Sequence, residues 1–239
     1  MKLVRPSVEI LTKINGDSIL KILEKVARTC YKSEDKITED TSSAKKLIGT
    51  ILQSHHLSIL EFIDITVKFT CSRVTSQSIV RHRLGSYAQE STRYCNYAKD
   101  KFDNQLTFII PKWSMLHQGE YTIDEVLENA EPRDYLFLEN CKNSELMYNR
   151  LIKLGCRAEE ARDVLPLCIK TEINVKYNLR EWRHFFTLRC SDKAHPEIRL
   201  LARTLLNRFH DQIPVIFDDL YEKFILHADS TDSVQESKA

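Results

Sequence analysis

Apolar residues recur along this chain with two different periods, and the switches between them sketch its elements. Leu20, Leu23, Ala27 and Cys30 stand three to four apart, which predicts a helix over 17–31 with Asp17 as its cap. Leu47, Ile48, Ile51 and Leu52 predict a second helix over 41–55. The period then drops to two. Ile63, Ile65, Val67 and Phe69 alternate with Asp64, Thr66, Lys68 and Thr70, the pattern of a half-buried strand. Helical spacing returns over 74–84, with Gly85 as the stop. Leu106 to Ile110, before Pro111, reads as a strand, and 117–134 as a polar, acidic surface excursion. A long amphipathic helix is expected over 132–154 and a shorter one over 157–165, ended by Pro166. Ile173, Val175 and Tyr177 mark another strand, followed by helices over 179–190 and 195–210. Two or three strands among many helices give the α+β class. The last stretch, HADSTDSVQESKA, is polar and expected to be a disordered tail over 227–239.

Composition narrows the picture. A chain of 239 residues is long enough to bury one sizeable core. With 42% apolar and 29% charged residues, it has the make-up of a soluble globular protein. The formal net charge is +1, so the whole surface is not built for polyanions and any basic patch is local. Seven scattered cysteines, odd in number and without a CxxC pair, argue against a disulfide framework or a zinc site. They point instead to a reducing cytoplasm. No signal peptide is expected from MKLVRPSVEI, and no segment approaches a membrane span. With five glycines, the chain has neither GxGxxG nor a P-loop, so side chains would have to hold any phosphate.

The stretch RHRLGSYAQESTR at 81–93 concentrates the candidate chemistry. Arg81, His82, Arg83 and Arg93 lie close together, with only Glu90 in opposition. Guanidiniums are planar forks of donors that stay charged, and several together repel unless an anion joins them. A phosphate-bearing ligand is the simplest such anion. The plain alternative is a solvated basic helix end, favoured there by the helix dipole. In LREWRHFFTLRC, Arg189 follows Trp182, Phe185 and Phe186 by seven, four and three residues, so it lies on the apolar stripe. A cation there needs an anion or acceptors, whether a ligand or a core carboxylate. Asn178 stands where it can cap this helix, and His184 shares a face with Arg180. Arg162 precedes a Leu-Pro-Leu turn, and Glu159 offers it an ordinary surface pair. Adjacent His55 and His56 lack partners of metal-ligand spacing, so no metal site is expected. No Ser-His-Asp or Cys-His arrangement appears, and Ser91 has no base beside it in sequence.

Arg-His-Arg, seven residues, then Ser91 and Arg93-Tyr94 resemble the signature of flavin-dependent thymidylate synthases. ARTCY at 27–31, HHLSILEF at 55–62, ARDVLPL at 161–167, NLREWRHFFTLR at 178–189 and KAHPEIR at 193–199 are also similar to that family's pattern, in order and separation. The resemblance implies a single domain over 1–226 with a small, mainly antiparallel sheet. It implies a homotetramer whose sites, each built from several subunits, hold FAD and dUMP. Carried over by position, His56, Ser58, Arg81, His82, Arg83, Gln89, Asn178, Arg180 and His184 match flavin contacts. Ser78, Arg81, Gln89, Glu90, Ser91, Thr92, Arg93 and Arg162 match the dUMP pocket. Arg189 matches the catalytic arginine that favours ionisation of the uracil ring.

The implied reaction converts dUMP to dTMP with 5,10-methylenetetrahydrofolate as one-carbon donor and NADPH as reductant. In that family the flavin, rather than a cysteine, carries the hard chemistry. Members often have Gln where this chain has Ser78 and Asn where it has Ala88, and some have Glu in place of Gln89. Two other classes stay open at this stage. One is a nucleic-acid-binding module using the arginine cluster, though no RNP, KH or helix-turn-helix pattern accompanies it. The other is a non-catalytic nucleotide or flavin sensor.

Overall fold

The computed structural model describes residues 1–122 and 131–227. In chain order the strands and helices begin with β1 (Lys2–Val4), β2 (Ser7–Ile10), α1 (Gly16–Tyr31) and α2 (Ser42–Gln53). Next come β3 (Asp64–Ser72), α3 (Arg73–Ile79), β4 (Gly85–Gln89), β5 (Thr107–Ile109) and β6 (Gly119–Glu120). The second half holds α4 (Pro132–Lys153), α5 (Ala158–Ala161), β7 (Lys170–Asn178), α6 (Leu179–Arg189), α7 (Pro196–Gln212) and α8 (Pro214–Tyr221).

These elements fall into two compact units. Among the described residues, one comprises Met1–Ser7, Phe69–Arg81, 87–122 and 131–174; the other comprises Val8–Lys68, His82–Ser86 and 175–227. The chain passes back and forth between them, so neither is a separate stretch of sequence, in keeping with the α+β single-domain expectation.

In the first unit, β1 lies between β5 and β6, parallel to β5 and antiparallel to β6. Leu3, Phe108 and Ile110 from this small sheet pack with Leu138, Cys141 and Tyr148 of α4. The core of the second unit is aromatic. Trp182 stacks on Phe186 at 5.9 Å and meets Phe209 edge-on at 5.3 Å, and Phe217 closes on Phe209 at 5.5 Å. Trp182 also donates its indole N–H to the Ile65 carbonyl at 3.0 Å, which satisfies its one polar atom. Burying each such ring contributes roughly 1.5–3 kcal/mol.

A four-stranded sheet has the order β2-β3-β7-β4. Its strands run antiparallel. Leu179 N–H meets the Ile63 carbonyl at 2.9 Å, while Arg73 N–H meets the Ile169 carbonyl at 3.2 Å. Glu90 N–H meets the Glu172 carbonyl at 2.9 Å, and Gly85 lies against Tyr177. Leu11 N–H reaches Thr66 at 2.9 Å, and Glu9 pairs with Lys68.

The sequence expectations need several corrections. There are seven strands among the described residues rather than two or three, because β1, β2 and β6 are too short to show a period and β4 begins at the glycine that reads as a helix stop. The cap of α1 is Asn15, whose Oδ1 accepts from Ser18 N–H at 2.9 Å; Asp17 sits inside the first turn. The third helix ends at Ile79 instead of running to Leu84. Arg81, His82 and Arg83 therefore lie in the turn that follows, where the ring of His82 finds buried partners that outweigh local helix propensity. Gly85 opens β4 rather than stopping a helix, and its role is close approach. A Cβ there would stand 2.2 Å from Cε1 of Tyr177. The shorter helix expected over 157–165 is one α turn, α5, followed by a 3₁₀ turn at Arg162–Val164. Residues 123–130 of the expected excursion at 117–134, and the tail beyond His227, lie outside the described residues; the rest of the excursion holds β6 and the first turn of α4.

Candidate active site

In the first unit α3 presents a polar stripe. Arg73, Ser76, Gln77 and Val80, spaced by three, four and seven from the first, line a cleft of about 300 Å³. Ser72 caps this helix, its Oγ accepting from Thr75 N–H at 3.2 Å, and so fixes where the stripe begins. Gln89 and Thr92 line the cleft from the β4 side, and Arg162 with the Leu165–Leu167 turn closes it.

Two cations converge on one hydroxyl here. Arg73 Nη2 donates to Thr92 Oγ1 at 3.1 Å, and Arg162 Nη1 donates to the same oxygen at 3.4 Å. Arg73 also reaches the Glu90 carbonyl at 3.4 Å and Thr171 Oγ1 at 3.5 Å. All of these acceptors are uncharged. Among the described residues neither guanidinium has a carboxylate at ion-pair distance. The nearby acids are committed elsewhere. Glu90 accepts from Tyr97 at 2.8 Å and from Glu172 N–H at 3.2 Å, and pairs with Lys170 at 3.0 Å. Burial and the Glu90 carboxylate hold the Tyr97 phenol far above its ordinary range, so it stays a donor. Glu159, the expected partner of Arg162, pairs instead with Arg157 at 2.8 Å and Arg93 at 3.3 Å.

Gln89 is held from one end. Its Nε2 donates to Ser76 Oγ at 2.9 Å and to Thr171 Oγ1 at 3.2 Å. Ser76 Oγ in turn donates to the Arg73 carbonyl, so the amide orientation follows from the network. Its Oε1 is left as an acceptor on the cleft. The arrangement of two uncompensated guanidiniums, an amide carbonyl and a buried hydroxyl suits a phosphorylated polar ligand.

In the second unit α6 carries a linear polar chain. Asn178 caps the helix, its Oδ1 accepting from Glu181 N–H at 2.8 Å. Glu181 is 5% exposed, and its Oε1 lies 2.9 Å from Nδ1 of His82, itself 4% exposed. Nε2 of His82 accepts from Nε of half-buried Arg189 at 3.0 Å. Burial, then the Arg189 and His184 charges, lower the His82 pKa to about 4, so the ring is neutral near pH 7. Burial raises Glu181 and lowers Arg189, but a guanidinium still remains a cation. His82, Glu181 and His184 place possible metal-ligand atoms within 4.8 Å of one another. Because Arg189 occupies the Nε2 lone pair, Nδ1 carries the ring proton, and His82 has no lone pair left for an ion.

The same unit holds a second cleft, of about 310 Å³, lined by Tyr31, His55, His56, Ser58, Ile59 and Arg180. Its wall is set by the end of α2. His55 N–H reaches the Leu52 carbonyl and His56 N–H the Ile51 carbonyl, with His55 at φ 56°, a left-handed position that favours glycine. Keeping a histidine there costs roughly 1–3 kcal/mol, and His56, the next residue, lines the cleft beside it. Arg180 is exposed and paired with Glu61 at 2.5 Å.

The sequence-derived site residues thus sort by environment. Gln89, Thr92 and Arg162 share the first cleft, and His56, Ser58 and Arg180 share the second. His82 and Arg189 are bonded to each other, with the exposed His184 ring 5.5 Å from His82. Arg81 and Arg83 are exposed and form no ion pair among the described residues. Ser78 does not line the first cleft; its hydroxyl turns back to the Val74 carbonyl at 3.5 Å. Ser91 Oγ accepts from Arg93 N–H at 3.3 Å. Sequence reasoning missed Arg73, Ser76, Gln77 and Glu181. The first three carried a signal, the helical stripe itself. Glu181 carried one in standing four residues before Phe185 on the apolar face.

Residues 14–215 match the family described as thymidylate synthase complementing protein. A flavin-dependent thymidylate synthase of Geobacter sulfurreducens is 34% identical over 198 residues, which is 81% of this chain and 78% of that one. Another, of Mycolicibacterium vanbaalenii, is 30% identical over 236 residues, 95% of this chain and 88% of its own. Among solved structures, the UMP/dUMP methylase PolB of Streptomyces cacaoi bound with 5-Br dUMP is similar in fold. It gives a TM-score of 0.70 at 23% identity, covering 94% of this chain and 98% of that one. By the extent of these matches and the signature at 81–94, the chain belongs to the flavin-dependent thymidylate synthase family.

Proposed function

We propose that this protein converts dUMP to dTMP by reductive methylation, and that its first cleft takes the nucleotide. 5,10-Methylenetetrahydrofolate gives the one-carbon unit, NADPH gives the reducing equivalents, and tetrahydrofolate leaves. FAD, when bound, supplies the hydride that reaches the new methyl group. The observation that carries the assignment is the pair Arg73 and Arg162, two guanidiniums converging on Thr92 Oγ1 without a carboxylate between them. A phosphate dianion satisfies both forks at once. Gln89 Oε1 then accepts from a sugar hydroxyl or a ring N–H. Arg189, from this or another copy of the chain, holds a fixed positive charge in a partly desolvated place, suited to stabilising negative charge that develops on uracil.

The second cleft fits part of a flavin dinucleotide. Tyr31 offers a flat apolar surface, and His56, Ser58 and Arg180 offer donors to phosphate or ring heteroatoms. A cleft of about 310 Å³ is too small for the whole dinucleotide. Contacts to the remainder fall to Arg81, Arg83, Gln89, Asn178 and His184, some of them supplied by other copies of the chain, whereas His82, expected among them, is buried with both ring nitrogens bonded within the protein. A homotetramer with shared sites is therefore part of the proposal. So is a cytoplasmic setting, in keeping with seven free cysteines; no described helix is long and apolar enough to cross a membrane.

The test is direct. The purified protein should be yellow or become so with added FAD, oxidise NADPH faster when dUMP is present, and form dTMP with the folate donor. Arg189→Ala should lose turnover while keeping its fold and its flavin. A colourless wild type that takes up no FAD and makes no dTMP would overturn the proposal.

A further inference from the structure

One buried carboxylate has no part in the reaction as set out so far. Glu181 is 5% exposed on the apolar side of α6, and its Oε1 lies 2.9 Å from Nδ1 of His82. The other ring nitrogen, Nε2, lies 3.0 Å from Nε of Arg189. A guanidinium N–H can only donate, so Nε2 must present a lone pair. A neutral imidazole with a bare Nε2 carries its proton on Nδ1. That proton points at Glu181, which accepts it. The other assignments fail on hydrogen count. A protonated Glu181 donating to Nδ1 would leave the ring with no proton. A doubly protonated ring would set Nε2–H against the Nε–H of Arg189.

We infer that Glu181 is a positioning residue: it fixes the Nδ1–H tautomer of His82, and that tautomer holds the guanidinium of Arg189 in place through its Nε. The inference rests on Arg189 acting on uracil, as proposed above. The surroundings of the ring favour this state. Arg189 and Glu181 stand at hydrogen-bond distance, with the rings of His184 at 5.5 Å, Phe185 at 5.1 Å and Tyr177 at 6.0 Å. A cation on one side and an apolar wall on the other keep His82 from taking a second proton. Holding the guanidinium by a neutral acceptor leaves its charge in place, and the carboxylate acts on it only through the ring. Glu181 is held in turn, because its own N–H is tied to the Asn178 cap at 2.8 Å.

The experiment compares Glu181→Gln and Glu181→Leu as FAD-loaded enzymes. Glutamine keeps a carbonyl acceptor for Nδ1–H and should hold kcat within about threefold of wild type. Leucine removes it and should lower kcat by at least about tenfold, with KM for dUMP changed less than about threefold. A second readout needs no turnover. Long-range proton–nitrogen correlation spectra should show the Nδ1–H tautomer of His82 in the wild type and in Glu181→Gln. An Nε2–H tautomer in the wild type overturns the inference, and it does so even if the leucine variant fails to fold. An active wild type with an unchanged kcat in Glu181→Leu overturns it as well. A wild type that makes no dTMP faults the proposed function instead, and the spectrum reports on the tautomer regardless.

Discussion

Gly85→Ala isolates one close approach, and the structure fixes both the sign and the size of its effect. The glycine is not in the left-handed region, which among described glycines holds only Gly119 and Gly155, so backbone strain contributes nothing. The added methyl would stand 2.2 Å from Cε1 and 2.3 Å from Cδ1 of Tyr177, and 3.0 Å from the Lys176 carbonyl oxygen. Ordinary carbon contacts lie at about 3.5–4.0 Å, so the ring or the strand must yield by more than about 1 Å. The ring has nowhere to go. Tyr177 is 1% exposed and packs on Trp182 at 4.7 Å. Overpacking of this kind costs about 1–3 kcal/mol, and the rigid surroundings place the expected loss at about 2–3 kcal/mol. For a chain of this size that lowers Tm by roughly 5–10 °C. Gly49→Ala is the matched control. Nothing lies within 4 Å of a Cβ there, and the position is inside α2, so it should gain about 0.5–1 kcal/mol. Urea melts followed by circular dichroism and tryptophan fluorescence measure both. A Gly85→Ala protein as stable as wild type would refute the steric account.

Three further outcomes are expected. Arg73→Gln and Arg162→Gln should each raise KM for dUMP at least about tenfold with a smaller change in kcat, and the double variant should fall short of the product; an unchanged KM in Arg73→Gln would remove that residue from the nucleotide cleft. His82 has a folded pKa of about 4 against an ordinary 6.5, so between those values the unfolded chain binds the extra proton. Its contribution is therefore whole above about pH 6.5 and is lost as the pH falls toward 4, a difference of about 3 kcal/mol. Urea midpoints across that range, read as wild type minus His82→Gln, should show the decline, and a flat difference would contradict the buried neutral ring. Arg81→Ala touches an exposed side chain and should leave the melt of the flavin-free protein unchanged while stripping flavin, so a variant that stays fully yellow would contradict its role.

Much of the fold was written in periodicity. The alternation at 63–70 and 171–177 and the helical stripes of α1, α4, α6 and α7 all emerge within a few residues of their expected ends. What the pattern could not show depends on partners distant in sequence. His82 leaves the expected helix because Glu181 and Arg189 receive it about a hundred residues later. Gly85 reads as a helix stop until Tyr177 is seen to fill the space of its missing side chain. The signature drew attention to charge at 81–93, yet the residues that meet in the first cleft include Arg73, outside that window. Its stripe with Ser76, Gln77 and Val80 was legible, but nothing in one sequence says that Glu90 is already committed to Tyr97 and Lys170.

The pair of guanidiniums on Thr92 has a thermodynamic corollary. Their mutual repulsion belongs to the native chain alone, since unfolding separates Arg73 from Arg162. Any dianion that enters the cleft relieves that repulsion and binds only the native form, so by mass action it raises the melting temperature in proportion to the logarithm of its concentration. At a hundred times its dissociation constant the gain is about 2.7 kcal/mol. Inorganic phosphate or sulfate in a storage buffer would thus act as a weak competitor of the nucleotide and a preservative of the fold at once.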